Sequence, residues 1–442
     1  MHKFLFLIAW ALLAASLSAQ PSLTVLPNEQ MRLNVGASTV VADGAEWDMT
    51  LVMANDNNVA NGVLPANFRR WWGLEIGNLN TTTGETLNIL VTNTEYSDRI
   101  TPVWSLDGGA TSSRIPGPAP TGPGNNQNFQ IVTPPGIASI RLWKYFPFTP
   151  AMLDAWMAGF AADPRVVKTD IGNSPQARDI WMLEITDPGT ASAGKKRVWI
   201  HAAVHASENT AYFMAQGLVG FLLGGTPEAN AVLQNVIIDI VPMANPDGSA
   251  IGNYRVNANS VNLENEWGAP YDSDQPEIIA MQTQIEGFMG TASSPGANPI
   301  TLLLNLHATH SITYPFHFVH RPNWPANGVT QSVRNLEDQW VDAIRARSPL
   351  IDLGGDQFST LSGRPFVESM MHDRYSIQPE WEDVMAITLE GTYQAGPLPG
   401  VTNTPDDYRD SGEAIGLAIM DYYGIVPAPP APVDYWMILG GT

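Results

Sequence analysis

The chain has no cysteine. That excludes disulfides, thiolate metal sites and a cysteine nucleophile, so stability must come from the core and from any bound metal. Basic side chains are scarce: 22 Lys and Arg stand against 43 Asp and Glu, a net charge of −21. A polyanion would be repelled, which argues against a nucleic-acid partner; the excess reads as a solvated acidic surface. After the first twenty residues no apolar run is long enough to cross a membrane. Histidine is missing from residues 20–147, so that stretch offers no imidazole for a metal or for proton transfer.

What is present is length. A chain of 442 residues is too long for one small core and predicts two domains. Residues 1–19 read as a signal peptide. His2 and Lys3 form a polar start, Phe4 to Ala15 is a short apolar run, and Ser16-Leu-Ser-Ala19 is a small-residue ending of the kind that precedes cleavage. The expected location is secreted or periplasmic, without a stable membrane anchor. Residues 20–147 read as an N-terminal β-sandwich domain. Its expected strands are Ser22–Leu26, Met31–Val35, Trp47–Met53, Trp72–Ile76, Thr86–Thr92 and Ile137–Trp143, separated by Asn, Gly, Asp and Pro.

From residue 148 the pattern changes to helix alternating with buried strand, which predicts an α/β domain to about 425 and a tail over 426–442. Thr149–Ala162, Asn209–Leu223 and Val333–Arg345 have helical apolar spacing. Val166–Ile171, Asp179–Ile185, Arg197–Ala202, Val236–Pro242, Leu302–Leu306 and Ala386–Glu390 read as strands.

Several polar residues stand at the ends of those strands. His205 and Glu208 follow one and open a helix; their spacing lets both converge on one ion, although that spacing alone equally describes a loop histidine beside a helix-start glutamate. A catalytic zinc needs a third protein ligand, and His307 or His310 after Leu302–Leu306 would supply it. His201 reads as structural, and His317, His320 and His372 as ordinary strand or loop histidines. Glu390 ends an apolar strand, where a carboxylate is costly unless it is paired or acts as a general base. Arg255 follows the turn Asn245-Pro-Asp-Gly248; it is either a solvated loop cation or a group that holds a carbonyl oxygen gaining charge.

Taken together, these pieces form a known pattern. The stretches His-Ala-Ser-Glu (205–208), Asn-Pro-Asp-Gly (245–248), Tyr-Arg-Val-Asn (254–257), Val-Asn-Leu-Glu-Asn-Glu-Trp (261–267), Gln-Pro-Glu (275–277), Asn-Leu-His-Ala-Thr-His-Ser (305–311), Tyr-Pro-Phe (314–316) and Thr-Leu-Glu (388–390) resemble the carboxypeptidase A-like zinc peptidases. The branch they look closest to is the cytosolic carboxypeptidases and their bacterial relatives, in which a β-sandwich precedes a mixed-sheet α/β catalytic domain. The resemblance implies one zinc ion held by His205, Glu208 and His307, with Glu390 as general acid/base and Arg255 stabilising the oxyanion. It implies hydrolysis of an amide near the end of a peptide or peptide-like substrate.

Two positions depart from the family pattern. The family's Asn-Arg pair, which clamps the substrate's free carboxylate, is Glu264-Asn265 here, so a forked cation is replaced by a neutral amide beside an anion. The family's Asp that orients a zinc-ligand histidine is Asn262, which can accept an N–H but brings no charge. Specificity is therefore expected to be atypical, with Glu264 receiving a cationic or amide end or with Arg321, Arg364 or Arg374 restoring the clamp. Tyr375 and Tyr393 are the candidates for a substrate-capping tyrosine. A zinc esterase or deacylase, or an inactive binding relative, is the alternative.

Overall fold

The computed structural model describes residues 19–429 apart from 59–63, 66–67, 269, 310–316, 323–327, 349–356, 360–365 and 399. The signal-peptide segment up to 18, His310, the Tyr314-Pro-Phe316 stretch, Arg364 and the tail beyond 429 lie outside the described residues.

The N-terminal region forms two sheets. Strands β1 (Ser22–Thr24), β2 (Thr39–Asp43), β3 (Glu46–Val52), β4 (Gly73–Gly77), β5 (Thr86–Thr92), β6 (Val103–Ser105), β7 (Ser113–Arg114), β8 (Gln127–Val132) and β9 (Ile140–Trp143) divide into the orders β1-β4-β9-β6-β7 and β2-β3-β5-β8. Alternation builds the packing between them. Trp47, Met49 and Leu51 of β3 and Leu87, Ile89 and Val91 of β5 are buried, and they share one apolar cluster with Leu74, Ile76, Ile140 and Leu142 of the other sheet. Met31–Val35, expected as a strand, is a connector instead. Met31 and Leu33 enter different clusters, while Arg32 turns to Asn253 of the other region. β8 escaped the sequence reading because its exposed face is Asn128 and Gln130 and its buried face begins with Gln127.

After α1 (Pro150–Ala158) comes the large sheet. In chain order it holds β10 (Val166–Asn173), β11 (Asp179–Ile185), β12 (Lys196–Ala202), α2 (Asn209–Leu223), α3 (Pro227–Asn235), β13 (Val236–Val241), α4 (Pro246–Ile251) and α5 (Pro276–Met289). A short hairpin, β14 (Gly290–Thr291) and β15 (Ser294–Pro295), leads to β16 (Ile300–Thr309), β17 (His317–Pro322), α6 (Gln331–Arg347), β18 (Gln357–Ser359), α7 (Val367–Met371), β19 (Met385–Thr392) and α8 (Pro405–Tyr422). The sheet order is β10-β11-β13-β12-β16-β19-β17-β18. The central pairs β13/β12, β12/β16 and β16/β19 are parallel, and the flanking pairs β10/β11, β11/β13 and β17/β19 are antiparallel. This is a mixed-sheet α/β fold. The central strands are buried on both faces, which is why they read as continuous apolar runs.

One apolar cluster crosses the division expected at 147/148. Met31, Trp71, Val103 and Trp143 pack with Phe148, Tyr212, Phe213 and Met243. Gln30, fully buried, stitches the same boundary. Its Nε2 donates to the Ala206 carbonyl and to Asn209 Oδ1, and its Oε1 accepts from Phe148 N–H and Asn209 Nδ2. α4 ends at Gly252, whose φ of 78° needs glycine, and a Cβ there would meet the backbone of Gln30 and Met31 at 3.0 Å.

Candidate metal centre and active site

The parallel centre of the sheet delivers its polar residues to one end. β12 ends at Ala202, and the chain leaves the sheet through Ala203 in a left-handed conformation, φ 52°. A residue with a Cβ holds that shape only where its surroundings fix it, and here the Ala203 N–H is tied to the Leu306 carbonyl. His205 and Glu208 follow. Glu208 stands at the start of α2, but its carboxylate does not cap the helix. Oε1 lies 2.8 Å from His205 Nδ1, while Oε2 lies 2.7 Å from His307 Nδ1 and accepts the Ala308 N–H at 3.0 Å. The two rings stand nearly perpendicular, 4.8 Å apart.

This group fits a zinc ion on its own chemistry. Asn262 Oδ1 can only accept, so His205 Nε2, 3.1 Å away, carries the ring proton. Burial, and then the Arg255 charge, lower the His205 pKa and favour the neutral ring. Its bare Nδ1 then faces a carboxylate oxygen, two acceptors that need a cation between them. Burial pushes the Glu208 carboxyl up, but the His205 and His307 imidazoles outweigh it and hold it below the usual range. Burial opposes charge on His307, yet Glu264 and Glu208 raise its pKa well above the ordinary value. The ligand atoms of His205, Glu208 and His307 lie within 4.8 Å of one another, and all three residues are buried. Two nitrogens and one oxygen, with further coordination left open, are the donor set of a catalytic zinc.

Glu390 is brought to this group by register. β16 and β19 are parallel neighbours, and His307 is directly paired with Glu390. Both were expected at strand ends, and both lie inside longer strands. Glu390 is the half-buried residue in an otherwise buried strand. Burial, and then the Glu208 charge, push its pKa up to about 8, against the pull of His307 and Arg255. Gly391 follows because a Cβ there would meet Thr210 Oγ1 at 2.5 Å, so only glycine lets β19 lie this close to the start of α2.

Arg255 is held by its backbone. Asp56, fully buried in the N-terminal region, accepts the N–H groups of Tyr254, Arg255 and Val256 at 2.7, 2.8 and 3.0 Å. The guanidinium donates to the Tyr254 hydroxyl at 3.3 Å and lies 5.8 Å from the Phe68 ring. Burial opposes its charge, but Tyr254, Glu208 and Glu264 hold its pKa above the ordinary value. Arg70 lies 5.9 Å from the ring of the same Tyr254.

Residues 153–349 match the zinc carboxypeptidase family model, Peptidase_M14. The chain carries a zinc carboxypeptidase domain. It is 34% identical over 269 residues to cytosolic carboxypeptidase 6 of Mus musculus, covering 58% of this chain and 46% of that protein. The Homo sapiens protein of the same name is also 34% identical, with 59% and 50% covered. The chain thus spans about half the length of the curated relatives it matches. Its fold is similar to the crystal structure of a metallo-carboxypeptidase from Burkholderia cenocepacia, with TM-score 0.74, 22% identity, and 91% of this chain and 99% of that one covered. A metallo-carboxypeptidase from Pseudomonas aeruginosa gives TM-score 0.70 at 18% identity, covering 90% and 98%.

Within the zinc carboxypeptidase domain, the departing segment forms a short helical turn, Leu263–Asn265. Glu264 is buried and points at the ligand shell. Its Oε2 is 3.2 Å from His307 Nε2, and its two oxygens accept from Asn305 Nδ2 at 3.2 and 3.3 Å. The expectation of a carboxylate offered to a substrate amine does not match these contacts. Asn305 also donates to Thr388 Oγ1 at 3.1 Å, and that hydroxyl donates to buried Glu368. Burial, and then the Glu264 charge, push the Glu368 pKa up to about 7. Asn265 is half-buried beside this turn.

The other candidates fall elsewhere. Tyr393 is fully buried and its hydroxyl donates to the Ser207 carbonyl at 2.8 Å, bracing the ligand loop. Tyr375 packs edge-on against Trp381 in a core cluster with Val367 and Met371. Arg374 is engaged with Glu286 at 2.8 Å and with the Tyr271 hydroxyl at 3.1 Å. His201 is fully buried, accepts from Trp199 Nε1, and is pushed down to about 3 by burial. Asp56, Arg70, Asn305, Thr388 and Glu368 were not anticipated. The signal for Asn305 and Thr388 was available: polar residues inside buried strands need partners. Nothing local marks Asp56 or Arg70, which act across a separation of almost two hundred residues.

Proposed function

We propose that this protein hydrolyses the amide bond next to the carboxyl end of a peptide, using one zinc ion. The observation that supports this most directly is the pairing of His307 with Glu390 across β16 and β19, beside His205 and Glu208. A zinc ion held by His205, Glu208 and His307 supplies Lewis acidity toward an oxygen and makes water easier to deprotonate. Glu390 then takes the proton of the attacking water and delivers it to the leaving amine. Burial raises its pKa, which makes the carboxylate a stronger base for taking the proton it later returns. Arg255, rigid on its captured backbone, donates to the scissile carbonyl oxygen as negative charge develops there.

Substrate recognition is proposed to differ from the family pattern. With Asn265 neutral and Arg374 paired away, a free carboxylate would be met by Arg70, which lies 5.9 Å from the Tyr254 ring that Arg255 also approaches and whose Nε makes no hydrogen bond. The test is a panel of free-acid peptides, their C-terminal amides and simple esters. Turnover of free-acid peptides, with Arg70→Ala raising KM, supports the reading. Turnover confined to amides or to esters overturns the exopeptidase assignment, and absence of turnover by zinc-loaded protein favours a binding role. Export is proposed as well; a mature protein starting near Gln20 supports it, and a cytosolic product retaining the first nineteen residues sinks it.

A further inference from the structure

We propose that Glu264 is a positioning carboxylate for the metal ligand His307, standing in for the charge that Asn262 lacks on the other ligand, His205. This rests on the reading that His205, Glu208 and His307 hold a zinc ion.

Each ligand imidazole has two nitrogens with separate tasks. Both Nδ1 atoms face Glu208, at 2.8 and 2.7 Å. Behind the Nε2 atoms stand two oxygens: Asn262 Oδ1, hydrogen-bonded to His205 at 3.1 Å, and Glu264 Oε2, in ion-pair contact with His307 at 3.2 Å without hydrogen-bond alignment. A carboxylate behind a ligand histidine fixes the tautomer, orients the ring and makes the metal-facing nitrogen more basic; an amide does the first two without adding charge. The outer partners of this centre are therefore one neutral and one anionic. The carboxylate that the family pattern places at position 262 is found two residues later, on the opposite ligand.

The surroundings of Glu264 are built to hold it in that place. Asn305 Nδ2 reaches both of its oxygens, Thr388 accepts from the same amide, and Thr388 in turn donates to Glu368. Asn305 and Thr388 are register partners on β16 and β19, two residues before His307 and Glu390 on the same strands. The network is thus carried by the two strands that carry the ligand and the acid/base. Both oxygens are thus engaged from the protein side and the residue is buried, which directs Glu264 toward the ligand. The change at 264 that looked like an altered substrate pocket is a change in the support of the metal.

The test compares wild type, Glu264→Gln and Asn262→Asp/Glu264→Gln by zinc affinity, measured by competition with a chromophoric chelator, and by the visible spectrum of the cobalt-substituted protein. The expected result is that Glu264→Gln weakens zinc binding by about 10–100-fold and shifts the cobalt bands, while KM changes little. The double variant recovers most of that affinity, because charge returns through His205. Unchanged zinc affinity with a large rise in KM overturns the proposal and makes Glu264 a substrate contact. If Glu264→Gln does not fold, Thr388→Val reads the same network from further back: a severalfold loss of zinc affinity supports the proposal and unchanged affinity opposes it. Wild-type protein that takes up no stoichiometric zinc would instead remove the underlying metal reading.

Discussion

The large sheet and the N-terminal β region both reach the active site, but they hold it by different means. In the sheet, register does the work. β12, β16 and β19 are parallel neighbours, so His201, Asn305 and Thr388 share one level across the strands, and His307 and Glu390 share the level two residues on. The positions of the side chains follow from the backbone ladder. Among the described residues, the N-terminal region offers no strand to the site. It uses single buried polar side chains that capture loops: Asp56 takes three consecutive N–H groups around Arg255, and Asn57 Nδ2 reaches the carbonyls of Asn257 and Ala258. Register gives precision to the residues proposed to react. Capture gives rigidity to a loop that would otherwise open locally at low cost.

The largest effect expected from breaking the first mode is at Glu390. Glu390→Gln keeps shape and β19 pairing, so kcat should fall by about 10²–10⁴-fold with zinc content and melting temperature nearly unchanged. A variant that retains full activity would remove Glu390 from the chemistry. The second mode is broken by Asp56→Ala, which leaves three buried N–H groups without an acceptor, at about 1–3 kcal/mol each before relaxation. Both Tm and kcat should drop, and Asp56→Asn, which keeps one acceptor oxygen, should recover part of each. Equal losses in the two variants would mean that charge, and not geometry, is what Asp56 supplies. Arg70→Ala sharpens the comparison by removing a cation of the N-terminal region that is proposed to bind substrate and that otherwise lies against the Tyr254 ring. KM for free-acid peptides should rise about tenfold, roughly 1.4 kcal/mol, with kcat held and amidated peptides unaffected.

A pH-dependent effect concerns the loop's other anchor. Buried Glu277 of α5 accepts from Asn257 Nδ2 at 3.0 Å, and burial is the main cause that raises its pKa to about 7. A carboxyl raised on folding binds its proton more tightly in the native state. Its contribution to stability is therefore full below the ordinary glutamate value and is lost as pH rises through about 7. Glu277→Gln should match wild type near pH 4 and exceed it at pH 8 by at most about 3 kcal/mol. Denaturant melts at the two pH values measure this, and a variant less stable at pH 8 would contradict it.

The same contrast explains how much could be read from the sequence. Elements whose faces are uniformly apolar declared themselves: β5, β11 and α2 have the expected bounds, and β16 and β19 were seen at their centres. His205, Glu208, His307 and Glu390 lie on or beside α2, β16 and β19, Arg255 lies in the loop after α4, and the structure brings them together. What was illegible was polar and distant. β8 hides behind Gln and Asn, and α5 and α8 mix buried and exposed residues along their length. Asp56 resembles any loop aspartate until Tyr254 is folded against it. Glu264 was legible as a substitution, but its direction was not. Whether its carboxylate faced a substrate or a ligand depended on Asn305, forty-one residues away.

Gln30 bears on how the protein is made. Its partners lie at 148, 206 and 209, and its own N–H is taken by the carbonyl of Ala250. A growing chain produces Gln30 early and Ala250 more than two hundred residues later, after both N-terminal sheets have been synthesised. Those sheets can form during that interval, but the segment beside them must wait, with a buried amide still unsatisfied. Completion of the β region is thereby timed by the synthesis of α4, beyond the loop that carries His205 and Glu208.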